Sequence, residues 1–394
     1  MRVGFNYPYS TNRDGSEIGP NIWQADAEWN RLNALEAVGD LAAIPLPPLF
    51  YQVDRNLKNL AEMKIDLIRW FLLGNGNMYG PAPTRRLRYE TSMAPYWDYE
   101  FSPPSRLDRR FARDLRELLE RIKRAKVQII PSLLNFEIGG NVGVTEGPRA
   151  NTGARGRADI FRVPEKRDLF LNTVLKELLA ASKGYEQQIF AWEVINEPIW
   201  LCMDVGPLST DDWVPRRPEV TLKQMTDFLS RAVKMINDAG FPSTIGHRYL
   251  DDFNVFPVAG VTRPQFHFYN ERGKAAALVK RPTDPAALSK EPFSATPKPI
   301  LGEFDSAHNR FGAAWDALGN DDSTLARLKH LETQGCDVAI IWPDLGDAKK
   351  GRVDTNTIAA EKKLEFDTDK IKVLEDTRRE IVTYTGGKLP PSSD

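Results

Sequence analysis

Eight short, nearly continuous apolar runs recur along this 394-residue chain, and segments with helical periodicity lie between most of them. Such runs are typical of strands that are buried on both faces of a parallel sheet. Eight strands that alternate with helices fit a closed barrel better than an open sheet, so we predict an α/β fold, a (β/α)8 TIM barrel. The predicted strands are Val3–Asn6, Leu67–Phe71, Val127–Leu134, Phe190–Ile195, Ser243–Gly246, Gln265–Tyr269, Ile300–Phe304 and Val338–Trp342.

The segments between the runs carry the apolar spacing of amphipathic helices. The clearest one begins at Thr221 and Gln224, which stand in capping-box register, and ends at Gly240. After the fifth run we find only a short, poor helix candidate. The other predicted helices lie at Leu107–Ile122, Leu171–Leu179, Val53–Met63, Ser323–Gln334 and within Ile358–Thr383.

Several connections that leave the carboxyl ends of the predicted strands are long, at about residues 7–52, 72–106, 135–166 and 198–220. Barrel enzymes build their sites from these connections. The first connection is long enough to hold a helix of its own around Ala27–Leu41. We predict a single catalytic domain over residues 1–384 and a flexible tail over 385–394, which is rich in Gly, Pro and Ser.

Bulk composition excludes several classes of protein. The chain is 41% hydrophobic and 27% charged with a net charge of −1, so nothing points to nucleic acid or a membrane surface as a partner. Cys202 and Cys336 are too few for a disulfide framework, and the four histidines show no metal-ligand spacing. No run is long enough to span a bilayer, and no leader is visible, which leaves a cytoplasmic protein or one whose leader was removed. Oligomeric state is not predicted.

Two glutamates are predicted to lie at strand ends. The fourth run ends in Asn-Glu-Pro, where Pro198 ends the strand and leaves Glu197 at its tip, near Trp192 and Trp200. A carboxyl group near apolar rings is disfavoured as an anion, which suits a general acid. The seventh run ends in Gly-Glu-Phe and places Glu303 at a second tip. Cleavage of a glycosidic bond requires at least one protonated and one ionised carboxyl group.

These strand ends resemble the fourth and seventh strands of the large barrel clan of retaining glycoside hydrolases, with glycoside hydrolase family 5 (cellulases and β-mannanases) as the nearest subgroup. The resemblance covers about the whole chain, because other strand ends match in order. It implies that Glu197 is the acid/base and Glu303 the nucleophile. It further implies that Arg69 lies near the nucleophile, Asn196 at the sugar 2-hydroxyl, His267 and Tyr269 on the sixth strand, and Trp342 below the cleaved sugar.

Other residues are weaker candidates for substrate binding. Asn135 ends the third strand, where many family 5 cellulases carry a histidine, and this departure argues against a simple cellulase. The short run Leu133–Phe136 loosely resembles β-mannanases. Trp200 and other loop aromatic residues provide either stacking platforms or loop packing, and the basic third loop is either a solvated face or a site for an acidic sugar. The other loop aromatic residues are Trp213, Tyr96, Trp97 and Tyr99, and the arginines of the third loop are Arg149, Arg155, Arg157 and Arg162. At the tip of the first strand, Asn6 and Tyr7 either contact substrate or pack.

Each of these residues alone has an ordinary structural explanation, such as a turn, an ion pair or core packing, and their joint order along the chain is what favours catalysis. We therefore expect a retaining β-glycoside hydrolase without cofactor or metal that acts on a β-linked hexose carbohydrate of mannan or glucan type. The alternatives are a transglycosylase, a non-catalytic carbohydrate-binding barrel, and a metal-dependent barrel. For the last, three converging ligands cannot be assembled from the sequence.

Overall fold

The computed structural model describes residues 1–7, 10–11, 17–18, 49–73, 84–88, 96–100, 107, 109–139, 158–205, 220–250, 252–269, 296–306, 318, 321, 323–342 and 368–390. The helix expected around Ala27–Leu41 lies outside these residues. So do Trp213 and three of the four loop arginines, Arg149, Arg155 and Arg157.

Eight parallel strands close into a barrel, in which each strand pairs with the next one along the chain and the eighth pairs with the first. The predicted barrel is confirmed, and each predicted strand differs from the observed one by at most two residues at either end. The strands are β1 Arg2–Tyr7, β2 Leu67–Phe71, β3 Gln128–Asn135, β4 Trp192–Asn196, β5 Ser243–His247, β6 Gln265–Phe268, β7 Ile300–Asp305 and β8 Val338–Trp342.

Helices alternate with these strands, and the sequence signals at their ends are the ones the structure uses. The helix Leu222–Asp238 begins with the predicted capping box, in which Thr221 and Gln224 each accept a hydrogen bond from the other's backbone N–H. Gly240 follows it with φ +87°. The other described helices are Leu49–Glu62, Arg109–Ala125, Asp159–Arg162, the consecutive segments Pro164–Leu169, Phe170–Leu175 and Lys176–Ala181, then Asp252–Val255, Thr324–Thr333 and Thr368–Thr385.

Two antiparallel pairs of strands lie in the connections that follow β1 and β2. Ser10–Thr11 pairs with Glu17–Ile18, and Thr84–Arg88 pairs with Tyr96–Glu100. Both pairs therefore belong to the carboxyl-end face of the barrel, where the long connections were predicted to build the site.

The barrel interior changes from apolar to polar along its axis. A cluster of apolar side chains fills it near the amino-terminal ends of the strands and includes Leu67, Ile300 and Val338. Burial of such a side chain stabilises the fold by about 1.5–3 kcal/mol. Nearer the carboxyl ends, the interior holds the fully buried polar residues Arg69 and Glu193. The candidate catalytic glutamates follow directly after this polar layer, at the strand tips.

Neither cysteine forms a disulfide, since Cys202 and Cys336 are both free and buried. No helix among the described residues combines the length and apolar character needed to cross a membrane. The backbone N–H of Lys388 donates to the carbonyl of Glu62 at 2.8 Å, just beyond the last helix. The division into a domain of residues 1–384 and a tail of 385–394 stays a prediction.

Candidate active site

Glu197 follows β4 directly, in a backbone conformation that few side chains adopt. Its φ and ψ of 48° and 55° lie in the left-handed region, which is unfavourable for a residue with a Cβ. Its N–H donates to the carbonyl of Gly246 at 2.7 Å, and its own carbonyl accepts from the N–H of Trp200 at 3.2 Å. Such strain clusters at functional sites, where the surrounding structure holds it.

The carboxyl group of Glu197 contacts two aromatic side chains. Its Oε2 accepts a hydrogen bond from the indole Nε1 of Trp200 at 2.5 Å, and its Oε1 lies 2.8 Å from Nδ1 of His267. Burial lowers the pKa of His267 to about 4, against the opposing effect of Glu303, so the ring is neutral at pH 7. A neutral imidazole can donate to an ionised Glu197 or accept from a protonated one, so the contact persists in both states.

Glu303, on β7, has different partners. Its Oε1 accepts from Nη1 of Arg69 at 2.5 Å, and its Oε2 accepts from the hydroxyl of Tyr269 at 2.6 Å. Burial, followed by the negative charge of Glu303, raises the pKa of Tyr269 well above its ordinary value, so the phenol keeps its proton and donates. Both contacts are donors, one of them cationic, and an ionised carboxylate satisfies both.

The carboxyl groups of the two glutamates lie close together. A carboxylate oxygen of Glu197, one of Glu303 and a ring nitrogen of His267 all lie within 4.8 Å of one another. The chain segments that carry the two glutamates are far apart in sequence, and the closure of the barrel brings them together. In glycoside hydrolases, carboxyl groups about 5–5.5 Å apart go with retention of configuration, and about 6.5–9.5 Å with inversion.

Arg69 organises the floor of the site, because each of its five N–H groups has an acceptor. Nε and Nη2 both donate to Glu193 at 2.6 Å, and Nη2 also donates to Oδ1 of Asn196 at 2.7 Å. Nη1 donates to Asn6 at 2.9 Å and to Glu303 at 2.5 Å. Burial lowers the pKa of Arg69, but the charges of Glu193 and Glu303 outweigh it and raise the pKa above the ordinary value.

Asn135 and Asn196 form a pair at the tips of β3 and β4. Nδ2 of Asn196 donates to Oδ1 of Asn135 at 3.1 Å, and that oxygen also accepts from the N–H of Phe136 at 2.8 Å. Asn135, where a histidine was noted in many cellulases, therefore orients the Asn196 side chain. Asn6 is fully buried and donates to the carbonyl of Gly302 at 3.1 Å, so it packs within the barrel.

The predicted aromatic residues lie in two different settings. Trp342 ends β8, is half-buried, and packs edge-on against Phe71 at 6.5 Å between ring centroids. Trp200 is 4% exposed, and the guanidinium of Arg248 lies over its ring at 4.6 Å. The predicted roles of both tryptophans in substrate binding stay predictions. For Tyr7, Tyr96, Trp97 and Tyr99 the structure describes the backbone but not the side chain.

Sequence reasoning missed Glu193, which it treated as part of an apolar strand. Burial raises the pKa of this carboxyl group, but the charge and hydrogen bonds of Arg69 outweigh burial and hold the pKa below its ordinary value. Ser132 and Gln265 also donate to it, at 2.8 and 2.7 Å. A signal was present: isolated charged residues of opposite sign, Arg69 and Glu193, interrupt two strands that are otherwise apolar.

The site also contains three converging potential metal ligands, which sequence reasoning could not assemble. They are Glu197, His267 and Glu303. However, the cationic Arg69 lies 2.5 Å from Glu303, and Trp200 and Tyr269 donate to the two carboxyl groups. A nearby cation opposes a divalent ion, so the electrostatics of this arrangement favour proton transfer over metal binding.

Comparisons with known proteins establish the fold. No family model matches the chain, and no curated protein is similar to it in sequence. Among solved structures, a β-1,4-mannanase from the sea hare Aplysia kurodai is similar with a TM-score of 0.57 and 14% identity over 100% of this chain and 95% of that one. A β-mannanase from the blue mussel Mytilus edulis is similar with a TM-score of 0.53 and 14% identity, over 100% of this chain and 94% of that one. A GH5-4 broad specificity endoglucanase from Clostridium longisporum is similar with a TM-score of 0.51 and 12% identity, over 98% of this chain and 97% of that one.

At these identities the likeness is one of fold. The chain has the (β/α)8 barrel that these mannanases and this endoglucanase also have, and the predicted resemblance is confirmed at that level.

Proposed function

We propose that this protein is a retaining β-glycoside hydrolase that acts on β-linked hexose chains. The observation that carries the proposal is the pair formed by Glu197 and Glu303, with carboxylate oxygens within 4.8 Å of one another and different hydrogen-bond partners. This spacing supports a double displacement, because it leaves no room for a water molecule between an attacking base and the sugar.

In the first step, a Glu303 oxygen attacks the anomeric carbon while Glu197 gives its proton to the glycosidic oxygen. The bond between anomeric carbon and leaving oxygen breaks, and a glycosyl ester of Glu303 forms. Arg69 and Tyr269 hold the attacking carboxylate in place through hydrogen bonds of 2.5 and 2.6 Å. Glu197 is then ionised, and the indole N–H of Trp200 stabilises its charge.

In the second step, the ionised Glu197 takes a proton from water, and the resulting hydroxide oxygen attacks the anomeric carbon of the ester. Glu303 leaves as a carboxylate, and Glu197 is protonated again. The neutral His267, 2.8 Å from Glu197, can accept a hydrogen bond from the protonated carboxyl group or donate one to the ionised carboxylate. Two inversions at one carbon give net retention of configuration.

The neighbours support a substrate class, and Asn196 supports contact with a sugar. Two of the three reported structural neighbours are β-mannanases and one is an endoglucanase, which supports a mannan or glucan substrate. Arg69 and Asn135 hold the Asn196 side chain through hydrogen bonds of 2.7 and 3.1 Å. A hydrogen bond between this side chain and the sugar 2-hydroxyl would strengthen as the ring flattens.

The test is a screen of β-mannan, β-glucan and acidic oligosaccharides with products identified by mass, followed by NMR of the first-formed anomer. We expect a β-anomer first, and Glu303→Gln to abolish turnover while the circular dichroism spectrum is unchanged. An α-anomer first, or a Glu303→Gln variant with near-wild-type activity on an aryl β-glycoside, would contradict the mechanism. Products longer than the substrate would identify a transglycosylase.

A metal-dependent hydrolase is the second candidate, because Glu197, His267 and Glu303 converge. The two candidates differ in their response to a chelator. We expect activity to survive dialysis against EDTA unchanged. A loss that is restored by adding back a divalent ion would favour the metal-dependent enzyme.

A further inference from the structure

Glu193 lies inside the barrel on β4, four residues before Glu197, and all of its hydrogen-bonding capacity is used. Oε1 accepts from Arg69 Nη2 at 2.6 Å and from Ser132 Oγ at 2.8 Å. Oε2 accepts from Arg69 Nε at 2.6 Å and from Gln265 Nε2 at 2.7 Å. These donors come from β2, β3 and β6, so one carboxylate connects four strands of the barrel.

Glycines on β5 and β7 provide the room for this network. A Cβ on Gly246 would lie 2.8 Å from Oε1 of Glu193, and a Cβ on Gly302 would lie 2.6 Å from the side chain of Gln265. Both distances are far below van der Waals contact. The interior at this level therefore accommodates the buried carboxylate and its donors only because these two positions carry no side chain.

The contacts of Glu193 decide which N–H groups of Arg69 remain for the site. Glu193 takes Nε and one N–H of Nη2, which leaves one N–H each for Asn196, Asn6 and Glu303. The guanidinium is planar and rigid, so a bidentate contact on one edge fixes the direction of the others.

Glu193 also offsets the charge of Arg69. Four ionisable side chains lie around Glu303. They are Arg69 on β2, His267 on β6, Tyr269 directly after β6, and Glu197 at the end of β4. His267 is neutral and Tyr269 keeps its proton at pH 7. On β7 itself, Asp305 pairs with Arg327 at 2.9 Å. Arg69 is therefore the one cation that the described residues place against Glu303.

We propose that Glu193 is a positioning residue for the nucleophile, which acts through Arg69 by fixing its guanidinium and offsetting its charge. This inference rests on the proposed function, in which Glu303 attacks the sugar. A guanidinium without Glu193 would give its full charge to Glu303 and stabilise the carboxylate in the ground state. Because that charge disappears when the ester forms, such stabilisation slows the attack.

The experiment compares the wild type with Glu193→Gln, which keeps the size of the side chain and removes its charge. We expect kcat on an aryl β-glycoside to fall about tenfold or more, with KM within about twofold, because the change acts on the reacting group.

Two matched variants separate charge from structure. Ser132→Ala removes a neutral donor to the same carboxylate, and we expect a smaller fall in kcat than in Glu193→Gln. Glu193→Asp keeps the charge but shortens the side chain, and we expect its kcat to lie between those of Glu193→Gln and the wild type. If Glu193→Gln lowers the thermal midpoint while kcat and KM match the wild type, Glu193 is structural and the proposal is wrong.

A measurement that needs no turnover keeps this inference separate from the proposed function. The side-chain 15N resonances of the Arg69 guanidinium, assigned by their absence in Arg69→Lys, are compared in the wild type and in Glu193→Gln. Separate Nη1 and Nη2 resonances in the wild type that merge in the variant support positioning by Glu193, and equally separate resonances in both proteins overturn it. If Glu193→Gln fails to fold, Glu193→Asp, which is too short to keep both contacts of 2.6 Å, takes its place with the same two outcomes. Absence of activity on every oligosaccharide would reject the proposed function alone.

Discussion

The indole nitrogen of Trp200 lies 2.5 Å from a carboxyl oxygen of Glu197, three residues before it, and the left-handed backbone of Glu197 makes this contact possible. The short helical turn Pro198–Leu201 then brings the indole N–H back to the carboxyl group. The contact links a local sequence feature, the Asn-Glu-Pro turn, to the electrostatics of the proposed acid/base.

The first prediction concerns this contact. Trp200→Phe removes the donor and keeps an aromatic ring, and a hydrogen bond to a charged group is worth about 1.5–3 kcal/mol. We expect kcat to fall about tenfold or more, measured with aryl β-glycosides, because Glu197 becomes charged as the leaving group departs. The thermal midpoint, read by circular dichroism, serves as the control. Equal kcat in the variant and the wild type would show that the indole N–H has no part in catalysis.

The second prediction concerns proton donation by Glu197. In Glu197→Ala, we expect the largest loss for substrates with poor leaving groups, since good ones depart without a proton. Azide should restore part of the activity by attacking the glycosyl ester in place of activated water, which gives a β-glycosyl azide detectable by mass. A loss of equal size across leaving groups of different acidity would count against the assignment.

The third prediction concerns stability against pH. Burial lowers the pKa of His267 to about 4 and that of His247 to about 3, both below the ordinary value of 6.5. Between each lowered pKa and 6.5, the unfolded chain binds more protons than the folded one. The stability that the neutral histidines contribute is therefore present above about pH 6.5 and is lost as the pH falls toward 4. Each histidine contributes up to about 1.4 kcal/mol per pH unit.

Asp252 acts in the opposite direction on stability. Burial raises the pKa of this carboxyl group to about 6, so below that pH the folded state gains relative to the unfolded one. Urea unfolding from pH 8 to pH 4 measures the sum, and we expect a net fall in the free energy of unfolding. Asp252→Asn should steepen the fall between about pH 6 and pH 4. A flat profile in both proteins would contradict the assignment of neutral, buried histidines.

The fourth prediction concerns the glycine before the proposed nucleophile. Gly302→Ala would place a Cβ 2.6 Å from Gln265, and we expect a loss of about 1–3 kcal/mol in the free energy of unfolding. A double-mutant cycle provides the control. In a Gln265→Ser background, where the longer side chain is gone, the same substitution should cost less. An equal cost in both backgrounds would show that the Gln265 contact is not the cause.

Part of the candidate site could be predicted from motifs near the ends of strands. Glu197 and Glu303 were predicted from such motifs, since the carboxyl ends of parallel strands meet at one face of a barrel, and Arg69 was predicted from the family resemblance. Glu193 was not found, because an interior charge is recognised by its partner, and Arg69 is 124 residues away along the chain. Nor does the sequence reveal that Asn135 orients Asn196.

The sequence by itself determined the eight strands, the capped helix at Thr221 and the presence of two strand-end glutamates, since all of these follow from local periodicity and turn chemistry. The tertiary structure alone decided which groups contact each carboxyl group. Barrel closure brings Arg69 and Tyr269 to Glu303, and His267 to Glu197. The physical reason is that charge and hydrogen bonding act over a few ångströms of space, whatever the distance along the chain.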